Sequence, residues 1–220
     1  MVKVLSVLLA AGGGSRYRAS LETAHHDSHD SHDSRDSHDS RDSRDSIAST
    51  HKLLALGPDG RTVFEHSFHA MRLGSGDAAM AVVSGAIELP SFAGATLLHN
   101  PRWAEGQSTS LWKAIDFAES LDCEAIVVGL ADQPGIGPSD WADVRNAMVE
   151  GASIAVGTYD GQRRNPVGLA RSIWPLVPTD ADEGARGVIR AHPHLVTEVP
   201  CSGNSEDIDS VEDLLQWHLS

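Results

Sequence analysis

The sequence predicts one α/β domain in which a mostly parallel sheet is covered on both faces by helices. Three observations carry this. The chain has 220 residues, enough to bury one sizeable core. Short apolar runs alternate along it with segments of helical periodicity. The runs are continuous rather than alternating, as strands require when both faces are buried. Together they describe a Rossmann-like three-layer sandwich spanning residues 1–220.

The elements follow in order. Val2 to Leu9 is the first apolar run. It is too short for a signal peptide core and lacks a strongly basic start, so it reads as a buried strand. Thr62 to Leu73 has Val63, Phe68 and Met71 at helical spacing. Ala79 to Val83 and Ala95 to Leu98 are the next strands. Ser108 to Leu121 is an amphipathic helix, with Leu111, Ile115, Ala118 and Leu121 on one face. Ala125 to Leu130 is another buried strand, and Ser139 to Val149 a helix set off by Pro138. A strand at Ile154 to Thr158, a helix at Gly184 to Ala191, a short strand at Leu195 to Val199 and a helix at Val211 to Leu219 complete the alternation. In such sheets ligands sit at the carboxyl ends of the strands. The loops after Leu9, Val83, Leu98 and Leu130 are therefore the places to look for chemistry.

Composition removes several classes. Lys and Arg total 17 against 31 Asp and Glu, for a formal net charge of −14. Such a chain is a poor non-specific binder of nucleic acid, because phosphate contacts need Lys and Arg. No apolar stretch reaches membrane-spanning length. Cys123 and Cys201 form no CxxC pair, which argues against a zinc or redox motif. Both are expected to be plain buried thiols in a reducing cytoplasm. His66, His69 and His99 form no nucleophile constellation and are expected to be structural or surface residues.

One segment breaks the pattern. His26 to Ser46 consists of seven His/Arg-Asp-Ser triplets, with three Arg against seven Asp and hence a formal charge of −4. No apolar residue interrupts it, so burial cannot repay its ordering entropy. Residues 25–46 are expected to form a disordered low-complexity surface insertion. A tandem-repeat expansion tolerated in a loop accounts for it better than metal capture, since composition alone imposes no coordination geometry.

The loop after the first strand reads Leu9-Ala10-Ala11-Gly12-Gly13-Gly14-Ser15-Arg16. Small residues let backbone N–H groups approach a phosphate, and an arginine clamps its oxygens. The loop lacks the Lys-Ser/Thr ending of a P-loop and the spacing of a dinucleotide fingerprint. With His51-Lys52-Leu53-Leu54 further on, it resembles the LAAGxSxR…K-L-L signature of the molybdenum cofactor nucleotidyltransferases, the MobA-like NTP transferase domains. Their fold is the nucleotide-diphospho-sugar transferase type. The family places only a handful of residues between the Arg and the Lys, whereas here the repeat intervenes.

Further segments fit the same resemblance in the same order, covering nearly the whole chain outside the repeat. Asn100 to Leu111 is similar to N-x-x-W-x-x-G-x-x-x-S-L. Gly106 and Ser108 lie where a helix start offers free N–H groups. Ser108 or Ser110 is expected to cap that helix, to meet the nucleotide, or to do both. Asp132-Gln133-Pro134 resembles D-x-P, with a carboxylate just past a buried strand. Asp207-Ile208-Asp209-Ser210-Val211-Glu212-Asp213-Leu214 resembles D-I-D-T-P-E-D-L, with helix capping by Asp209 or Ser210 as the plain alternative. Arg163 to Gly168 resembles G-x-P-V with Asn165 in place of the usual glycine, and Asp182 to Arg186 resembles D-x-G-A-R. Read without the family these last two are a turn and a helix start.

The resemblance implies a magnesium-dependent nucleotidyltransferase. Arg16, Lys52 and Asp132 are the implied catalytic residues. Ala10, Ala11, Gly12, Gly13, Gly14 and Ser15, with Arg16, Lys52, Gly106 and Ser108, would hold the nucleotide. Asn165, Pro166, Gly184 and Arg186 would border the acceptor. Asp132 and Asp209 would bind Mg²⁺, with Asp207 as alternate to Asp209. The second alanine of Leu-Ala-Ala-Gly resembles the cytidylyl branch, so CTP is favoured, with the phosphate of molybdopterin as acceptor. A molybdoenzyme or its chaperone is the implied downstream partner. A GTP-dependent or other NTP-dependent transferase acting on a different phosphorylated acceptor is the runner-up. A non-catalytic metal- or cofactor-handling protein is the alternative from another class.

Overall fold

Val4–Ala10 is buried at every position, and its side chains divide by parity. Val4, Leu8 and Ala10 enter one apolar cluster, while Leu5, Val7 and Leu9 enter another. Such a strand must lie at the centre of a sheet with helices on both sides. The computed structural model, which describes residues 2–27, 51–179 and 183–219, has this arrangement.

The described chain begins with β1 (Val4–Ala10) and α1 (Ser15–Asp27), followed by a 3-10 turn (Lys52–Leu54) and α2 (Val63–Ser75). There follow β2 (Ala79–Ser84), β3 (Ala95–His99), a 3-10 turn (Trp103–Glu105), α3 (Gln107–Ser120), β4 (Ala125–Leu130) and α4 (Pro138–Val149). The chain closes with β5 (Ile154–Tyr159), β6 (Gln162–Ala170), α5 (Ala185–Ala191), β7 (Val196–Pro200) and α6 (Val211–Leu219). The sheet order is β3-β2-β1-β4-β6-β5-β7. Every pairing is parallel except those of β6, which runs antiparallel to β4 and β5.

One core layer packs Tyr17, Phe64, Met71, Trp141, Met148 and Leu214, from α1, α2, α4 and α6, against the sheet. The other packs Leu111, Ile115, Trp174 and Val188, from α3, the Arg171–Leu176 3-10 segment and α5. Local chemistry sets the ends. Thr62 and Glu65 form a reciprocal capping box at the start of α2. Pro138 opens α4, where it forfeits no helical bond.

The mostly parallel α/β sandwich is as expected, and the expected helices appear within two residues of their bounds. β6 is unexpected, since the segment around Arg163 to Gly168 reads as a turn from its sequence. The signal was present: Asp160-Gly161 carries positive φ at both positions (48° and 76°) and joins β5 to β6 as a two-residue hairpin. The first half of β6 is exposed, so its charges cost little. Its pairing slips between Val156↔Val167 and Gly157↔Arg164, leaving Asn165 and Pro166 as a bulge where proline's missing N–H is harmless. Cys123 is buried, but Cys201 is only half-buried, because it leaves the sheet edge after β7. α1 runs through Asp27, and the rest of the His/Arg-Asp-Ser repeat lies outside the described residues, as does Asp182.

Candidate active site

β1 and β4 are parallel neighbours with Leu9 opposite Leu130, so the loops leaving them emerge side by side. The glycine-rich loop leaves the first and Asp132 follows the second. Ala131 N–H donates to Leu9 O at 3.0 Å, and Ser67 Oγ donates to Ala131 O at 2.9 Å. Ile208 N–H donates to Asp132 O at 2.8 Å, which draws Asp207 and Asp209 to the same edge. That loop is itself pinned by buried Asp140, whose carboxylate accepts from Gly137 N–H (2.9 Å) and Ser202 N–H (3.0 Å).

Four of the expected site residues therefore meet. Lys52 Nζ lies 2.6 Å from Asp132 Oδ2 and 2.6 Å from Asp209 Oδ1. Arg16 Nη1 lies 2.8 Å from Asp209 Oδ2. The Lys52 side chain is 11% exposed, whereas that of Arg16 is 82% exposed. An ion pair that open contributes little, about 0–1 kcal/mol, so Arg16 can leave Asp209 for a phosphate at small cost. Ser210 performs the capping that might have occupied Asp209. Asp213 N–H donates to Ser210 Oγ (3.2 Å), and Asp213 Oδ2 accepts from Ser210 N–H (2.7 Å) and Asp209 N–H (3.0 Å). The Asp209 carboxylate is thereby left to Lys52 and Arg16.

Burial works against charge on Lys52, but Asp132 and Asp209 outweigh it and hold the ammonium above the ordinary lysine range. Burial also pulls the Asp209 carboxyl upward, and the Lys52 and Arg16 contacts reverse this and hold it low. Asp207 goes the other way. Burial raises its carboxyl first, the negative charges of Asp132 and Asp209 add to this, and Oδ1 is buried with no hydrogen-bond partner. A carboxyl raised on folding favours the native state below its unfolded pKa of about 3.9 and weakens it as pH climbs through the folded value. Asp207→Asn is thus expected to raise Tm at pH 7.5, with the gain vanishing below about pH 4. Thermal melts of both proteins across that range check this; an unchanged or lowered Tm at pH 7.5 would show that Asp207 is not strained by its neighbours.

Two clefts adjoin these charges. The smaller, about 440 Å³, is lined by Ala11, Gly12, Gly13, Trp103, Gly106 and Asp132, among others. Trp103 packs on the loop so closely that a Cβ at Gly13 would lie 3.0 Å from its ring. The larger, about 1530 Å³, runs past Gln133, Asn165, Arg186 and Asp209. Asp132 borders the first cleft and Asp209 the second, and Lys52, which lines neither, is ion-paired to both carboxylates.

Other expected residues take different places. Ala10 is a buried strand residue, and Gly14 and Ser15 begin the turn into α1 beyond the smaller cleft. Ser108 does not cap α3, whose N-cap is Gly106. It is buried, and its Oγ accepts from Gly184 N–H at 3.3 Å. Ser110 Oγ accepts from Asn100 Nδ2 at 2.9 Å instead. Gly184, with φ +51°, is thus tied to the start of α3, and Pro166 sits in the β6 bulge rather than on the cleft wall. Sequence reasoning gave no role to Gln133. It is buried, donates to Ser205 O (3.0 Å) and accepts from Asn165 Nδ2 (2.8 Å), so it ties three segments beneath the larger cleft. Its place between Asp132 and Pro134 was the available signal.

The parallel sheet, the glycine-rich loop and the Arg–Lys–Asp–Asp cluster define a nucleotidyltransferase. The chain belongs to the MobA-like NTP transferase domain family, whose model matches residues 42–196. That match starts after Arg16 and ends before Asp209. The chain is 34% identical over 131 residues to the purine catabolism protein PucB of Bacillus subtilis (strain 168), covering 56% of this chain and 62% of PucB. It is 29% identical over 188 residues to the nicotine blue oxidoreductase of Paenarthrobacter nicotinovorans, covering 76% of this chain and 91% of that protein. In fold it resembles Rv0371c of Mycobacterium tuberculosis H37Rv, with a TM-score of 0.69, 18% identity and 100% and 99% of the two chains covered. Rv0371c has also been crystallised in complex with manganese. No helix among the described residues is long and apolar enough to cross a membrane.

Proposed function

We propose that the protein transfers CMP from CTP to the phosphate of molybdopterin or the molybdenum cofactor, releasing pyrophosphate. The observation that carries this reading is the position of Lys52 between Asp132 and Asp209, carboxylates that border a small cleft and a large one respectively. The nucleoside fits the small cleft beside the glycine-rich loop. The acceptor fits the large one, where Arg164 and Arg186 suit its phosphate, while Arg163 and Arg190 are ion-paired to Glu198 and Glu183. Ala11 in Leu-Ala-Ala-Gly supports cytidine.

Asp132 and Asp209 would hold a divalent ion. Two carboxylates completed by substrate phosphates and water are enough for Mg²⁺. The fit rests on Asp132 Oδ1, which is buried without a hydrogen-bond partner, and on an ammonium already seated between the two carboxylates. Among the described residues no three His, Cys, Asp or Glu are grouped to hold an ion by themselves. When bound, the metal neutralises phosphate charge and orients the phosphoryl group. The chain's own residues do the rest. Arg16 and Lys52 clamp the triphosphate, and the backbone of Ala11 to Gly13 shapes the nucleoside site. An ionised acceptor oxygen attacks the α-phosphorus while the bond to pyrophosphate breaks, so no general base is needed.

The test is pyrophosphate release with purified molybdenum cofactor and Mg²⁺ or Mn²⁺, comparing CTP, GTP, ATP and UTP. Release with CTP is the expected result. Release with GTP alone would reassign the base, and release with none by folded protein would remove this acceptor.

A further inference from the structure

The family motif specifies Lys-Leu-Leu and leaves the residue before it open. Here that residue is His51, only 5% exposed and placed where the chain re-enters beside the glycine-rich loop. Its two ring nitrogens have different partners. Leu53 N–H donates to Nδ1 at 3.2 Å, which makes His51 the cap of the turn carrying Lys52. Nε2 lies 3.1 Å from Gly12 O.

These partners admit one protonation state. A backbone N–H only donates, so Nδ1 carries a lone pair. A carbonyl only accepts, so Nε2 carries the hydrogen. The ring is a neutral imidazole with both nitrogens satisfied. Burial favours the same state by holding the imidazole below the usual histidine range, helped by the positive charges of Lys52 and Arg18 and opposed by the Gly12 carbonyl and Asp132.

The Gly12 bond has a consequence for the loop. In a trans peptide the C=O and the next N–H lie in one plane and point in opposite directions. Fixing Gly12 O on His51 therefore fixes the direction of the Gly13 N–H. The ring also packs on Gly14, whose φ is +61° and where a Cβ would lie 3.3 Å from ring atoms. One side chain thus ties the glycine-rich loop to the turn bearing Lys52, which are the two halves of the triphosphate grip.

We propose that His51 is a positioning residue of the transfer site, a neutral latch that holds the glycine-rich loop in register with Lys52 before nucleotide binds. This rests on the nucleotidyltransfer reading only for its effect on affinity.

Two substitutions separate the two bonds. His51→Asn keeps an oxygen to accept from Leu53 N–H and so keeps the cap, but cannot reach Gly12 O. His51→Gln keeps an N–H donor of the required length and gives up the cap geometry. The first measurement is amide hydrogen exchange over residues 9–18 without nucleotide. Exchange there is expected to rise at least about tenfold in His51→Asn and to stay near wild type in His51→Gln. The second is CTP and GTP affinity by calorimetry, with steady-state kinetics. His51→Asn is expected to weaken the nucleotide that wild type binds by about tenfold, chiefly through KM rather than kcat, with His51→Gln rescuing most of it. Unchanged loop exchange in His51→Asn would overturn the latch, whatever the nucleotide results. Wild type that binds neither nucleotide would overturn the CTP assignment and its GTP runner-up, while the exchange data would still decide the latch.

Discussion

Asp132→Ala is expected to lower pyrophosphate release by about a thousandfold while leaving the fold intact. The magnitude is that of removing one charged group from a site that neutralises phosphate charge. Retention of the fold follows from how the loop is held. The Asp132 backbone oxygen, not its side chain, accepts from Ile208 N–H, and the preceding carbonyl accepts from Ser67. Losing the carboxylate leaves both bonds in place, and Lys52 keeps Asp209. Circular dichroism and thermal melting check the fold, and single-turnover kinetics check the chemistry. A metal- or cofactor-handling protein working through its His/Arg-Asp-Ser repeat would show no change in metal uptake on this substitution. Full activity in Asp132→Ala would remove Asp132 from the reaction.

Lys52→Met is expected to lower kcat/KM by a hundred- to a thousandfold and at the same time to tighten Mn²⁺ binding in the absence of nucleotide. The two effects share one cause. The ammonium sits 2.6 Å from each carboxylate, where a divalent ion would otherwise find its protein ligands. On the proposed function, Lys52 in the free protein would compete with metal for Asp132 and Asp209. With nucleotide bound, the same ammonium would turn to the phosphates, and its loss would be felt as lost charge neutralisation. Methionine keeps the buried stem and removes the charge, leaving two carboxylates facing each other. Such a half-removed buried pair destabilises the fold, so Tm in chelator is expected to fall. Added Mn²⁺ should restore more Tm in the variant than in wild type, since at a given ligand concentration the tighter site gains more stability. A gain of about tenfold in Mn²⁺ affinity, about 1.4 kcal/mol, is expected by calorimetry. Equal or weaker Mn²⁺ binding in Lys52→Met would show that the metal does not use the place Lys52 holds.

Much of the fold was legible because it depends on local patterning. Continuous apolar runs at Val4–Ala10 and Ala125–Leu130 can be satisfied only by strands covered on both faces, and helical spacing marks α2 and α3. Those two strands are parallel neighbours, so the residues after them reach one edge. Arg16, Lys52, Asp132 and Asp209 could be named because their segments resemble, in order, the motifs of a known family. The strand β6 escaped because its first half is charged and exposed, which removes the alternation that marks a strand.

The sequence by itself determined the alternation of elements, the doubly buried central strands and the set of charged residues at their ends. Only the tertiary structure decided what each of those residues does with its neighbours. Ser210 rather than Asp209 caps α6, Ser108 bonds Gly184 instead of capping α3, and His51 links the glycine-rich loop to the Lys52 turn. The bond from Lys52 to Asp209 spans 157 residues, and that from Arg16 to Asp209 spans 193. Capping and periodicity are energies of a few neighbouring residues and can be read in a short window. Which carboxylate receives which cation is set by packing among distant segments, and no short window contains both partners.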